Sequence, residues 1–332
     1  MSPGLGPAAS EARTDADWLA QAARLAERAR PLSRPNPAVG AIIVKDGVVV
    51  GRGWTRPGGR PHAEAMALDE AGEAARGATS YVTLEPCAHE SARGPACSDL
   101  LVEAGVARVV AGVADPDPRT AGKGIEKLRA TGIEAEVVDD PASHKSLAGY
   151  LIQRREGRPH ITLKLALSLD GKIALADGTS KWITGEHARA HTHRERAAVD
   201  AILVGGATLR ADNPSLDVRL PGLEDRSPER FVLTHGDAPE GWNALSGLDD
   251  LSALSDIQYL MVEGGGGAAA AFLERDLVDK LLIYRAPVII GNGRAGIGDI
   301  GLTDLTAAHG RWQRIAWREL GDDMLEIYRR TR

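Results

Sequence analysis

Apolar and polar positions in the first half of the chain alternate in short runs. Residues 15–30 place Leu19 and several alanines at helical spacing, which predicts an amphipathic helix. The apolar runs 41–45 and 48–53 flank Asp46-Gly47, a dipeptide that favours a tight hairpin turn. Further along, the pattern predicts helices at 62–76, 96–104 and 124–131, and strands at 80–84, 108–113 and 133–138.

The pattern starts again after a predicted helical connector at 142–160. Strands are predicted at 161–166, 200–205, 231–234, 257–263 and 280–283, with a helix at 192–199 before the second of them. Residues 221–254 are polar and rich in Pro and Gly, and they receive no assignment. Because strands alternate with helices in both halves, we expect two α/β layer domains.

The domain limits follow from these two series. A chain of 332 residues suggests about two domains. Residues 1–14 are rich in Gly, Pro, Ala and Ser and are expected to be disordered. We predict a first domain at 15–145, a connector at 146–159 and a second domain at 160–332.

The composition of the chain argues against several classes of protein. Hydrophobic residues make up 43% and charged residues 26%, values typical of a soluble globular protein. The net charge of −6 argues against a nucleic-acid-binding surface. No apolar run approaches the ~20 residues of a membrane span, and the first residues lack the apolar segment of a signal peptide. Both cysteines are expected to bind a metal, which favours a reducing compartment, so we predict a cytoplasmic protein without nucleic-acid or membrane partners.

Candidate chemistry concentrates between residues 62 and 97. His62-Ala63-Glu64 followed by Pro86-Cys87 fits the H-x-E and P-C-x-x-C signature of zinc deaminases, except that Cys97 lies ten positions after Cys87. A catalytic zinc keeps three protein ligands and one open position for water, so His62, Cys87 and Cys97 are the predicted ligands. Zinc lowers the pKa of that water towards ~7, and Glu64 is predicted to carry protons beside it. Each residue alone has an ordinary interpretation; their joint occurrence favours zinc.

Eight segments in order resemble the bifunctional deaminase/reductase family of riboflavin biosynthesis. They are PNPAVGAIIVKDG, PHAEAMAL, YVTLEPCAHE, DPDPRTAGKGI, LKLALSLDGKIA, SKWIT, ADNPSLDVR and VEGGG. The resemblance covers roughly residues 17–300 and implies a cytidine-deaminase-like α/β/α domain followed by a dihydrofolate-reductase-like α/β domain.

The resemblance also implies reactions and an assembly. The first reaction is zinc-dependent deamination of 2,5-diamino-6-ribosylamino-4(3H)-pyrimidinone 5′-phosphate. The second is NADPH reduction of the ribosyl group of 5-amino-6-(5-phosphoribosylamino)uracil to ribityl. The same resemblance implies a homodimer formed through the reductase domain.

Site residues are carried over by position. In the first domain Glu64 matches the proton carrier, and the expected substrate contacts are Asn36, His89 and Arg93. Arg93 suits a phosphate because a guanidinium makes bidentate contacts. In the second domain the expected substrate contacts are Lys164, Ser180, Arg196, Leu216, Arg219 and Glu263. The expected NADPH contacts are Ala166, Trp182, Thr208, Asp212, Gly265, Gly266 and Gly267, the glycines through backbone N–H groups.

Three features depart from the family pattern, and two other interpretations stay open. The gap between Cys87 and Cys97 is one residue longer, the segment 220–256 is shorter, and DPDP stands in place of DPNP. The chain could be another zinc nucleobase or nucleoside deaminase with an unrelated C-terminal domain, although it lacks the P-C-x-x-C spacing. It could also be a regulatory binding protein with a degenerate site, which need hold no zinc. His187, His191 and His193 are expected to be surface residues of a solvated helix.

Overall fold

The computed structural model describes residues 13–89, 93–249 and 251–332. The chain divides into two units, with the boundary between Leu151 and Ile152. Of the segment expected to be disordered, residues 1–12 lie outside the described residues. Thr14 is ordered, because its side chain caps the first helix in a capping box with Asp17. Among the described residues, no helix combines the length and apolarity needed to cross a membrane.

The first unit is a mixed sheet with helices packed on it. Its strands are β1 (Gly40–Lys45), β2 (Val48–Trp54), β3 (Thr79–Val82), β4 (Arg108–Ala111) and β5 (Glu134–Val137). Its helices are α1 (Asp15–Ala26), α2 (Ala63–Ala71), α3 (Cys97–Ala104), α4 (Lys123–Ala130) and α5 (Pro141–Ser146), and α6 (Ala148–Glu156) crosses the boundary. The strand order is β2-β1-β3-β4-β5, with β3, β4 and β5 parallel.

The predicted hairpin and the close helix packing both follow from the sequence of β1 and β2. Asp46 and Gly47 have positive φ of 51° and 76°, as a tight two-residue turn requires. Ile42 packs with α1 on one face of the sheet, whereas Ile43 packs with α2 on the other. A Cβ on Gly53 would lie 1.9 Å from the carbonyl oxygen of Ala63, so α2 rests directly on β2. This contact fixes where α2 begins.

The second unit has a larger sheet. Its strands are β6 (His160–Leu167), β7 (Lys172–Ala174), β8 (Ala201–Gly205), β9 (Glu229–Leu233), β10 (Asn243–Leu245), β11 (Tyr259–Glu263), β12 (Lys280–Arg285), β13 (Arg294–Ala295), β14 (Trp312–Leu320) and β15 (Asp323–Arg330). Its helices are α7 (Glu186–Arg196), α8 (Gly206–Asp212) and α9 (Gly266–Glu274). The order β10-β9-β8-β11-β6-β12-β15-β14 is parallel from β10 to β12 and antiparallel beyond it, and β7 pairs with β13 separately.

Two expectations for this unit need correction. The helix predicted at 192–199 occupies Glu186–Arg196. The prediction that its histidines are surface residues holds for His187 but is wrong for His191 and His193, which are half-buried. α7 buries Ala188 and Thr192, and this face brings Nδ1 of His191 within 2.8 Å of the Tyr284 hydroxyl. Nδ1 of His193 lies 3.1 Å from the carbonyl oxygen of Asp217.

Candidate functional sites

Three side chains from separate elements of the first unit converge. Nδ1 of His62 lies 3.2 Å from Sγ of Cys97 and 3.7 Å from Sγ of Cys87. Within the part of the chain that the structure describes, these residues form the one cluster of His, Cys, Asp and Glu suited to a metal, with ligand atoms within 4.8 Å of one another. Around a tetrahedral zinc, such atoms stand roughly 3.5 Å apart, so the cluster fits zinc.

The position of each ligand follows from local structure. His62 directly precedes α2 and Cys97 is the first residue of α3, so two helix N-termini face the cluster. The partial positive charge of a helix N-terminus favours thiolates. Cys87 follows β3 and accepts a hydrogen bond from the backbone N–H of Cys97 at 3.3 Å. The longer gap between the cysteines therefore leaves both sulfurs in place.

The protonation states of this cluster are tightly linked. A hydrogen bond from Cys97, opposed by burial and helped by His62, lowers the pKa of Cys87 to about 4. The same hydrogen bond and burial raise the pKa of Cys97 above its usual value. Burial would lower the pKa of His62, but Cys87 and Glu64 outweigh it and raise that pKa. A bound cation would displace the protons of the two thiols and of the His62 nitrogen that binds it, since metal ligands must be deprotonated.

Glu64 lies beside the cluster without belonging to it. It occupies the first turn of α2 and is 4% exposed. Burial, opposed by His62, raises the pKa of this carboxyl group. A carboxyl group whose pKa is raised is a stronger base than an exposed one, which suits a group that takes up a proton and passes it on.

The other residues expected in the first site lie on loops beside it. Nδ2 of Asn36 donates to the carbonyl oxygens of Ser33 and Gly58 at 3.3 and 3.4 Å. Nη2 of Arg93 donates to the same Gly58 oxygen at 2.7 Å, so Asn36 and Arg93 share one backbone anchor. His89 follows Cys87 by two residues, and its Nδ1 lies 3.5 Å from Oγ1 of Thr120.

A second cluster is built where β6, β11 and α7 meet. Glu263, the last residue of β11, pairs in register with Lys164 on β6, and their side chains approach to 3.7 Å. Nε and Nη2 of Arg196 donate to Glu263 at 2.7 and 3.0 Å. Burial lowers the pKa of Lys164, whereas for Glu263 the two cations outweigh burial and lower the pKa. The cluster carries more positive than negative charge and suits an anionic ligand.

The remaining expected residues of this unit occupy varied environments. Arg189 stacks on the ring of Trp182, which is 67% exposed, with 5.0 Å between the guanidinium carbon and the ring centroid. Leu216 is buried in an apolar cluster with Tyr284. The backbone N–H of Arg219 lies 3.3 Å from Nδ1 of His193. Ser180 and Ala166 are half-buried, Ala166 on β6, and Asp212 is exposed at the end of α8.

The glycine run has a mixed role. The backbone N–H of Gly265 donates to Oγ1 of Thr208 at 3.1 Å, which joins α8 to the N-terminus of α9. A Cβ on Gly266 would lie 2.6 Å from the carbonyl oxygen of Ala295, whereas a Cβ on Gly267 would meet nothing within 4 Å. Close packing therefore requires glycine at position 266. At position 267 there is open space beside the backbone, at the N-terminus of α9. Such an opening fits the phosphates of a dinucleotide.

Two buried residues near these clusters were not singled out from the sequence. Tyr284 is fully buried, and its ring lies 5.6 Å from Nζ of Lys164. Glu85 is 3% exposed, two residues before Cys87. A charged residue inside the apolar run before Cys87 is a signal that could have identified Glu85; nothing local marks Tyr284.

Comparison with known proteins decides the family. A model of the cytidine and deoxycytidylate deaminase zinc-binding region matches residues 12–113, and a model of the RibD C-terminal domain matches residues 159–325. Riboflavin biosynthesis protein RibD of Aquifex aeolicus is 36% identical over 355 aligned positions, covering 95% of this chain and 98% of the relative. The chain belongs to the RibD family of riboflavin biosynthesis proteins.

Solved structures agree with this assignment. RibD of Acinetobacter baumannii is 35% identical with a TM-score of 0.84, covering 96% of this chain and 99% of that one. A diaminohydroxyphosphoribosylaminopyrimidine deaminase/5-amino-6-(5-phosphoribosylamino)uracil reductase from Thermotoga maritima is 31% identical with a TM-score of 0.83, covering 96% and 99%. The predicted fold class, the bifunctional deaminase and reductase activity, and zinc and NADPH as cofactors are thereby confirmed. The match over residues 159–325 speaks against an unrelated C-terminal domain.

Proposed function

We propose that the chain deaminates 2,5-diamino-6-ribosylamino-4(3H)-pyrimidinone 5′-phosphate and then reduces the ribosyl group of 5-amino-6-(5-phosphoribosylamino)uracil to ribityl with NADPH. The observation that carries the deaminase half is the convergence of His62, Cys87 and Cys97 beside the buried carboxyl of Glu64. The name of the Thermotoga maritima relative supports the two substrates.

In the deaminase site, His62, Cys87 and Cys97 would hold the zinc. Zinc, when bound, supplies Lewis-acid chemistry that activates water at neutral pH. Glu64 takes the proton of the attacking water and delivers it to the leaving amine, a role that its burial beside the cluster supports. Asn36 and His89 contact the pyrimidine, and Arg93 contacts the 5′-phosphate.

In the reductase site, the proposed substrate contacts surround the Lys164, Arg196 and Glu263 cluster. The excess positive charge there supports binding of a phosphorylated sugar. The other proposed substrate contacts are Ser180, Leu216 and Arg219. NADPH supplies the hydride, and its proposed contacts are Ala166, Trp182, Thr208, Asp212, Gly265, Gly266 and Gly267.

The domain limits, assembly and location extend this proposal. Residues 15–145 form the deaminase domain and 160–332 the reductase domain, joined by 146–159. A homodimer forms through the reductase domain; in support, the edge strand β14 exposes 43% of Ile315 and 57% of Trp317. The protein acts in the cytoplasm; in support, both cysteines are free and close to His62 rather than in a disulfide.

A coupled assay tests the two activities. Purified protein receives the phosphorylated diaminopyrimidine without NADPH, and ammonia is measured; NADPH is then added and its absorbance is followed. We expect ammonia in the first step and substrate-dependent loss of NADPH absorbance in the second. Absence of ammonia would refute the deaminase half. Ammonia release without NADPH loss, in protein that binds NADPH, would refute the reductase half.

A further inference from the structure

Glu85 is a buried anion enclosed by backbone. It lies between β3 and Cys87 and is 3% exposed. Its Oε2 accepts from the N–H groups of Asp115 and Gly122 at 3.3 and 3.0 Å, and its Oε1 from those of Gly124 and Ile125 at 3.2 and 3.4 Å. Four donors around one carboxylate satisfy a charge that burial alone would penalise strongly.

The four donors belong to one segment, residues 115–125, which leads into α4. Gly122, the N-cap of α4, has no side chain to accept from the first turn, and Glu85 supplies the acceptor from another part of the chain. A Cβ on Gly124 would lie 1.9 Å from the carbonyl oxygen of Pro86, so the start of α4 is pressed against the residue that precedes Cys87. The segment and the cysteine loop are therefore held together at two points.

The same segment reaches the substrate side of the cluster. Thr120 is 1% exposed, and its Oγ1 lies 3.5 Å from Nδ1 of His89. The turn around Thr120 is closed by Asp117, whose carbonyl oxygen accepts from the N–H of Thr120 at 2.8 Å. Asp117 in turn donates its N–H to Oδ1 of Asp115 at 2.9 Å. Displacement of the segment would thus move the hydroxyl that contacts His89.

We infer that Glu85 is a positioning residue of the deaminase site: it fixes residues 115–125 against the cysteine loop and, through Thr120, orients His89 towards the pyrimidine. The inference rests on the proposed function, because His89 is a substrate contact only there. Glu85 donates nothing to the substrate and is no metal ligand. Its loss should therefore weaken substrate binding more than it slows the chemical step.

The test uses Glu85→Gln in the full chain, with Asp140→Asn as a matched control. Asp140 is also a buried carboxylate, 6% exposed, and accepts from the N–H of Ser143 at 2.7 Å, but it caps α5. In Glu85→Gln we expect the deaminase KM to rise about tenfold, the equivalent of ~1.4 kcal/mol of binding. We expect kcat to change less than about twofold and zinc to stay at one per chain.

Two further readouts separate positioning from general destabilisation. Amide hydrogen exchange at Gly122, Gly124 and Ile125 should accelerate in Glu85→Gln and stay unchanged in Asp140→Asn. Reductase activity of the same chain, measured with deaminated substrate, reports that the second unit is folded, and the retained zinc reports on the first unit. Thr120→Val leaves the four backbone N–H groups that donate to Glu85 in place. It should therefore raise the deaminase KM without faster amide hydrogen exchange at Gly124 and Ile125.

The outcomes are decisive. Faster exchange with unchanged KM in Glu85→Gln would make Glu85 a helix cap and overturn the inference. An unchanged KM in Thr120→Val would overturn the route through His89, even if Glu85→Gln fails to fold. A wild-type protein that releases no ammonia would refute the proposed function itself, whereas these variant results leave that function standing.

Discussion

Glu64→Gln tests the division of labour in the deaminase site. Glutamine keeps the shape of the side chain but cannot take a proton from water and return it to the leaving amine. Glu64 is 4% exposed and lies outside the three-residue metal cluster. We therefore expect the variant to keep its fold and its zinc while it loses deamination.

The magnitude follows from the role. General acid–base catalysis contributes about 10²- to 10⁴-fold to a rate, so kcat should fall at least about 100-fold. Burial disfavours the charged carboxylate of Glu64 and raises its pKa, so the uncharged amide of glutamine is tolerated at the same buried position and the stability cost should be small. The loss is therefore expected in kcat.

The assay measures ammonia release and zinc content in the same preparation. Glu70→Gln is the control, because Glu70 lies on the same helix but pairs with Arg52 at 3.0 Å at the surface. It should retain wild-type deamination. Near-wild-type ammonia release by Glu64→Gln would refute the proton-carrying role, and loss of zinc would show that Glu64 also holds the metal.

Three further predictions concern other parts of the chain. Glu263→Gln removes the carboxylate that pairs with the half-buried Lys164 and Arg196. It should lower reductase kcat/KM more than about tenfold and reduce stability by about 3 kcal/mol, with deamination unchanged; an unchanged NADPH rate would contradict this. Gly53→Ala places a Cβ 1.9 Å from the Ala63 carbonyl oxygen and should cost about 2 kcal/mol in urea unfolding; no loss would show that α2 can shift freely. Burial would raise the pKa of Asp279, but the hydrogen bond from Arg158 outweighs it and lowers that pKa, so the stability contributed by this pair is present above pH ~3.9 and is lost as the pH falls below it. Asp279→Asn should therefore reduce the loss of stability on acidification, and a pH profile identical to that of the wild type would contradict this expectation.

The parts of the fold that could be predicted depend on local chemistry. Asp46-Gly47 specifies its turn by backbone preference alone, and the hairpin of β1 and β2 is confirmed. The H-x-E and P-C signature predicted a metal cluster at residues 62, 87 and 97 because zinc binds imidazole and thiolates, and the three ligand atoms do lie close together.

The parts that could not be predicted depend on distant partners. The hairpin of β14 and β15 was missed because most of β14 is exposed and its sequence lacks an alternating buried face; β12 supplies the pairing. His191 was expected in solvent because its neighbours are charged, yet Tyr284, distant in sequence, covers it. Glu85 finds its donors some 30 to 40 residues away, and no local pattern reports them.

The zinc content of the protein decides whether His62, Cys87 and Cys97 form a metal centre. Wild-type protein, Cys87→Ala and Cys97→Ala should be purified without added metal and analysed for zinc per chain, with far-UV circular dichroism of the full chain as the check on folding. We predict one zinc per chain in the wild type and almost none in either variant, while all three reduce the deaminated substrate. A metal-free wild type, or variants that keep a full zinc complement, would contradict the assignment of His62, Cys87 and Cys97 as the metal centre.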